Sequence, residues 1–100
     1  PSNLAPALLA LDADYTTVLG DKTTTRKLRE LFPAEPRAQN PEHTLQPGEI
    51  VTSITVPPQP ANTRTAYCES REKETFDWAT TACAVRVVLD GTTITAADLV

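Results

Sequence analysis

The chain has 100 residues, 40% of them hydrophobic, and nine prolines against three glycines; that is room for one small domain with a modest core, and a balance that favours extended connections over long helices. A net charge of −4 argues against nucleic acid, which needs a basic stripe to neutralise phosphates. No apolar run approaches the roughly 20 residues of a membrane span, and no secretory signal is present.

The first residues read as a short helix over 2–11. Leu4, Leu8 and Leu11 follow helical spacing, Asn3 or Ser2 can cap the free amides, and Pro6 falls in the first turn, where a missing donor does little harm. Asp12-Ala13-Asp14 ends it. Tyr15 to Leu19 has strand composition, Gly20-Asp21 makes a turn, and the threonine-rich Lys22 to Arg26 pairs back as an exposed edge. Arg26, Lys27 and Arg29 read as a solvated face, with Lys27 to Phe32 as a helical turn or two.

From Pro33 to Pro47 four prolines and scattered charges remove any periodicity, so this is a long surface loop, of the kind that covers a site or a partner surface. Glu49 to Val56 alternates as a strand. Ile50, Thr52, Ile54 and Val56 share one side; Val51, Ser53 and Thr55 share the other. Pro57-Pro58-Gln59-Pro60 stops the strand and marks the expected boundary between substructures.

The stretch Tyr67 to Ala79 is a charged, irregular crossing into the best strand of the sequence, Ala82 to Leu89, with Asp77-Trp78 anchoring the crossing by burying the indole. Asp90-Gly91 is a two-residue hairpin turn, and Thr92 to Ala96 returns with one free edge. Cys83 alternates with Val85, Val87 and Leu89 and reads as a small buried hydrophobe, whereas Cys68 is a thiol in a polar setting; a bridge between them is the other reading. His43 is the only histidine, so neither a Ser/His/Asp set nor a metal centre is supported.

Four pieces in this order, Pro1 to Ala13, Leu45 to Pro57, Tyr67 to Ala79 and Ala82 to the Asp90-Gly91 hairpin, resemble the FAD-binding subunit or domain of the molybdenum hydroxylases. That family includes xanthine dehydrogenase, aldehyde oxidoreductases and the medium subunit of aerobic carbon monoxide dehydrogenase. Pro47-Gly48-Glu49-Ile50, with its strand ending in Pro57, is the most specific piece.

The resemblance implies an α+β fragment, cut at both ends, with antiparallel strands and a short N-terminal helix. It would come from a vanillyl-alcohol-oxidase-type FAD domain. Residues 1–57 would be the C-terminal part of the second FAD-binding subdomain, and residues 58–100 the start of the C-terminal domain. In the intact oxidoreductase, electrons would pass from molybdopterin and iron–sulfur clusters of the 2Fe-2S type, on partner subunits or domains, through FAD to an acceptor. The implied compartment is the cytoplasm, with the periplasm as the other setting. The competing reading is a non-enzymatic β-rich protein-interaction module, using the proline-rich loop and the open hairpin edge.

The same resemblance singles out three cofactor-binding positions. Asn3 stands where relatives usually have an aspartate that touches FAD; the amide keeps an oxygen, adds a donor and loses the charge, and its other reading is a plain helix cap. Val51 matches an apolar position against the cofactor while also packing its strand. Glu69 stands where relatives have lysine in a Tyr-x-Lys-x-Arg pattern, a reversal that repels an anionic cofactor by about 1 kcal/mol at a solvated 4 Å separation. Arg71 or Lys73 can supply the positive charge instead. The family's phosphate-cradling glycine loops lie before Pro1, so the fragment is expected to be inactive and to hold FAD poorly.

Overall fold

The computed structural model describes residues 2–35, 41–75 and 77–100. These form two compact units, one of residues 12–57 and one of residues 1–11 with 58–100. One helix, one 3₁₀ turn and two antiparallel three-stranded sheets make up the described regular structure, an α+β arrangement.

In the unit of residues 12–57, β1 (Asp14–Leu19) lies between β2 (Lys22–Lys27) and β3 (Ile50–Thr55). The threonine-rich β2 is an edge, where its polar side chains meet water. Leu19 pairs with Lys22, so Gly20 and Asp21 are the two central turn residues. Gly20 has φ +62 and Asp21 a negative φ, the type II′ arrangement that suits strand twist. On β1, Tyr15 and Thr17 are almost fully buried, and the 3₁₀ turn Leu28–Leu31 adds buried Leu28, whose N–H donates to the Ala13 carbonyl at 2.8 Å.

The alternation expected of β3 is broken. Thr16 faces Ser53 but Thr17 faces Val51, so Thr52 is an extra residue in a β-bulge, and its hydroxyl donates to the Thr16 carbonyl at 3.2 Å. Ile54 therefore lies opposite Tyr15 and Ile50 opposite Val18. Those β1 positions are three apart, so the two isoleucines point to opposite faces instead of sharing one.

In the other unit, β5 (Thr81–Asp90) lies between β4 (Thr63–Ser70) and β6 (Thr93–Leu99), and α1 (Leu4–Ala10) packs on β5. The chain leaves the helix through Asp12, at φ 54 in the left-handed region where a short polar side chain is tolerated. Ala10 of the helix and Ala84 of β5 are buried, and Ala7, Ala10 and Leu11 line a cavity of about 190 Å³ with Ala66, Ala84 and Val85. The helix therefore packs within the same compact unit as residues 58–100. Small side chains on both surfaces allow that approach.

Tyr67 to Ser70 are strand rather than crossing, so the irregular segment begins at Arg71. Asp90 pairs with Thr93, which shifts the hairpin turn by one residue, to Gly91 and Thr92. Gly91 takes φ +60 in the first central place; Thr92 has no positive φ, so this is again a II′ arrangement. Trp78 is 64% exposed, contrary to the expected burial of its indole. The crossing is tied instead by Asp77, whose carboxylate accepts the Lys73 N–H at 3.1 Å. Among the described residues no helix is long and apolar enough to cross a membrane.

Candidate functional site

Glu49, in the most specific motif of the sequence, organises the unit of residues 12–57. Its side chain is only 2% exposed. One carboxylate oxygen accepts the Thr17 hydroxyl at 2.6 Å and the Arg26 guanidinium at 3.1 Å; the other accepts the Gln46 N–H at 2.9 Å. Arg26 also donates to the Tyr15 hydroxyl at 3.3 Å. The Gln46 amide, then Thr17 and Arg26, hold the Glu49 carboxyl below its ordinary pKa, against the opposing pull of burial. Arg26 is pushed up, first by Tyr15 and then by Glu49.

These contacts clamp the Gln46–Glu49 turn, closed by the Glu49 N–H on the Gln46 carbonyl at 3.0 Å, onto β1 and β2. The start of β3 is thereby fixed. Half-buried Val51 sits two residues on, opposite Thr17. Sequence reading treated Glu49 as strand and missed its anchoring role; a carboxylate that closes its own turn while facing a strand arginine leaves no periodic signal.

Arg26, Lys27 and Arg29, expected to be a solvated face, are all paired. Lys27 bridges Asp12 at 2.9 Å and Asp14 at 3.1 Å, and Arg29 reaches Asp12 at 2.9 Å. Lys27, more than Arg29, draws the Asp12 carboxyl below its usual pKa. Asp12 and Asp14 in turn raise Lys27.

In the other unit, Asn3 is half-buried at the start of α1 and makes no side-chain capping hydrogen bond. Its backbone already has helical angles, φ −71 and ψ −20. The cap comes from Ser2, whose hydroxyl accepts the Ala5 N–H at 3.3 Å. Glu69 accepts the Tyr67 hydroxyl at 2.9 Å and pairs with Arg71, so its charge is locally balanced; the Tyr67 hydroxyl is raised, chiefly by that hydrogen bond. Glu69 and Arg71 to Glu74 line an open depression of about 600 Å³.

Arg86, which sequence reading did not single out, binds Asp98 across β5 and β6 and donates to the Gln59 Oε1 at 3.0 Å; Gln59 donates on to the Leu11 carbonyl at 3.1 Å. One guanidinium thus joins the sheet, the proline-rich segment and the end of α1. Of the three sequence-derived positions, Asn3 and Glu69 share a unit and Val51 belongs to the other. Residues 36–40 of the proline-rich loop lie outside the described residues, and His43 is exposed. Among the described residues no group of three or more His, Cys, Asp or Glu could hold a metal ion.

Neither protein-family profiles nor curated proteins yield a match to the chain. Solved structures do. A reconstituted CO dehydrogenase from Oligotropha carboxidovorans is 24% identical with a TM-score of 0.79, over 96% of this chain and 32% of that one. A cyanide-inactivated Cu,Mo-CO dehydrogenase is 26% identical at TM-score 0.77, over 97% and 35%. The carbon monoxide dehydrogenase from Hydrogenophaga pseudoflava that lacks the Mo-pyranopterin moiety is 26% identical at TM-score 0.73, again over 97% and 35%. The chain has the fold of a molybdenum hydroxylase fragment. It spans about a third of the length of the solved chains it matches.

Asn3 has an amide not spent on the helix, and Val51 offers an apolar surface. Gly20 and Gly91 are spent on hairpin turns, and Gly48, at φ +81, on the bend before β3. None of the three belongs to a run of glycine amides able to converge on a pyrophosphate.

Proposed function

We propose that this chain is part of the FAD-binding subunit of a molybdenum hydroxylase, an oxidoreductase in which FAD receives electrons from iron–sulfur clusters on a partner subunit or domain and passes them to an acceptor. The observation that carries the reading is the likeness to the Cu,Mo-CO dehydrogenase chain over 97% of this sequence. The ordered motifs around Asn3, Glu49 and Glu69 support it independently.

On this reading the vanillyl-alcohol-oxidase-type FAD domain ends near Pro57. Residues 1–57 are the last part of its second subdomain, and residues 58–100 begin the C-terminal domain. FAD supplies the electron-transfer chemistry when bound. Asn3 is proposed to offer a donor and an acceptor to the cofactor, and Val51, just after the turn that Glu49 fixes, to offer it an apolar surface. Arg71 neutralises Glu69, so the position that is lysine in relatives does not present a bare negative charge.

The test is a flavin titration of two proteins, this chain and a longer one that includes the sequence preceding Pro1. The longer chain is expected to purify with flavin absorbance, and the 100-residue chain to show no tight FAD binding. A longer, folded chain that is colourless and takes up no added FAD overturns the proposal and favours the interaction-module reading.

A further inference from the structure

We propose that Cys68 and Cys83 form a redox-active dithiol that closes to a cross-strand disulfide on two-electron oxidation by a peroxide. The two thiols lie on adjacent strands, and the register of β4 and β5 sets them directly opposite one another. Both are free and exposed. Directly opposed residues of an antiparallel pair project on the same face, so the two sulfurs share one surface.

The hydrogen-bond pattern identifies the kind of pair. Ala84 exchanges both of its backbone hydrogen bonds with Val100, on the β6 side. Backbone groups alternate sides along a strand, so Cys83 directs its N–H and C=O toward β4. Cys68 and Cys83 are therefore a hydrogen-bonded pair, for which the Cα separation is about 5.5 Å. That lies within the roughly 4.4–6.8 Å range of disulfides. The Cβ atoms of such a pair stand about 5.5 Å apart, against about 3.8 Å in a relaxed disulfide, so closure must tilt the two Cβ atoms toward one another and twist the pair locally. A bond formed under that constraint reopens readily to a dithiol reductant.

The chemistry balances with a peroxide as oxidant. One thiolate attacks a peroxide oxygen, the O–O bond breaks, and a sulfenic acid and hydroxide form. The second thiolate attacks the sulfenic sulfur, the S–S bond forms and a second hydroxide leaves. Two thiols lose two electrons, their two protons reach the departing hydroxides, and the peroxide becomes two waters. The bond would close a covalent loop around residues 69–82, which include the charged crossing.

The test treats the natively folded protein with hydrogen peroxide and follows intact mass, free thiols and peptide linkage. Expected is a monomer lighter by two hydrogens, simultaneous loss of both thiols, a Cys68–Cys83 cross-linked peptide, and recovery of both thiols with dithiothreitol. In Cys68→Ser and Cys83→Ser the remaining cysteine is expected to persist as a sulfenic acid trapped by dimedone. Independent over-oxidation of the two sulfurs, dimers linked between chains, or thiols that stay reduced until the wild-type protein is denatured would each overturn the proposal, and the wild-type mapping holds even if a variant fails to fold.

Discussion

Thr17 donates its hydroxyl to the Glu49 carboxylate at 2.6 Å, joining the middle of β1 to the turn that opens β3. Thr17 is 1% exposed and the Glu49 side chain 2%, so neither partner has water to replace the other. Thr17→Val, which keeps the shape and removes the donor, is expected to lower the melting temperature by roughly 5 °C, and Glu49→Ala by more, since Arg26 and the Gln46 amide also lose their acceptor. In a double-mutant cycle followed by circular dichroism the two effects should be less than additive. Strict additivity would show that the hydrogen bond carries no coupling.

Acid should act through the same carboxylate. Glu49 is held below its ordinary pKa in the fold, chiefly by the Gln46 amide and Thr17, and Asp12 is depressed chiefly by Lys27. A carboxyl with a lower pKa folded than unfolded adds stability that is fully present above the unfolded value. That stability is lost as pH falls through the folded one. Urea midpoints are therefore expected to be flat near neutrality and to fall below the usual carboxylate range. Glu49→Gln should start lower and show a shallower acid slope. An unchanged slope in that variant would remove Glu49 from the linkage.

The sequence made the local elements legible where one physical signal dominated. The helix of α1, the β-branched run of β1, the edge character of β2 and the strand of β5 all survive in the structure, whereas the inward face read for β5 does not, since Ala84 is buried and Cys83 exposed. What escaped depends on partners distant in sequence. The Thr52 bulge is set by pairing with β1, and it alone separates Ile50 from Ile54. Cys83 has the spacing of a core residue yet is exposed opposite Cys68, because β4 was not visible as a strand until it paired. Of the candidate site, Asn3, Val51 and Glu69 came from resemblance, whereas the anchoring roles of Glu49 and Arg86 required the three-dimensional register.

Each hairpin turn rests on one glycine at positive φ, Gly20 at +62 and Gly91 at +60. A Cβ built at either position meets no atom within 4 Å, so the cost of a side chain there is confined to the backbone. Gly20→Ala and Gly91→Ala are each expected to lose about 1 kcal/mol, with asparagine losing less because it tolerates the left-handed region better. Equilibrium urea denaturation reads the difference. A neutral alanine at either site would show that the turn can adopt another type.

Ser2 caps α1, so the cofactor contact proposed for Asn3 can be tested apart from capping. The Ser2 hydroxyl accepts the Ala5 N–H, while Asn3 spends no side-chain hydrogen bond on the helix. Ser2→Ala should cost about 0.5–1 kcal/mol of stability. Asn3→Ala should cost little, and its effect should appear as weaker flavin binding in a longer chain that carries the rest of the cofactor cleft. Asn3→Asp introduces the carboxylate that the family resemblance implies at this position, and its charge lies at the favourable end of the α1 dipole. It should therefore bind FAD at least as well as the wild type. Thermal unfolding combined with quenching of flavin fluorescence distinguishes the two residues. If Asn3→Ala destabilises the helix as much as Ser2→Ala and leaves the FAD affinity of the longer chain unchanged, Asn3 is a structural cap and not a cofactor contact.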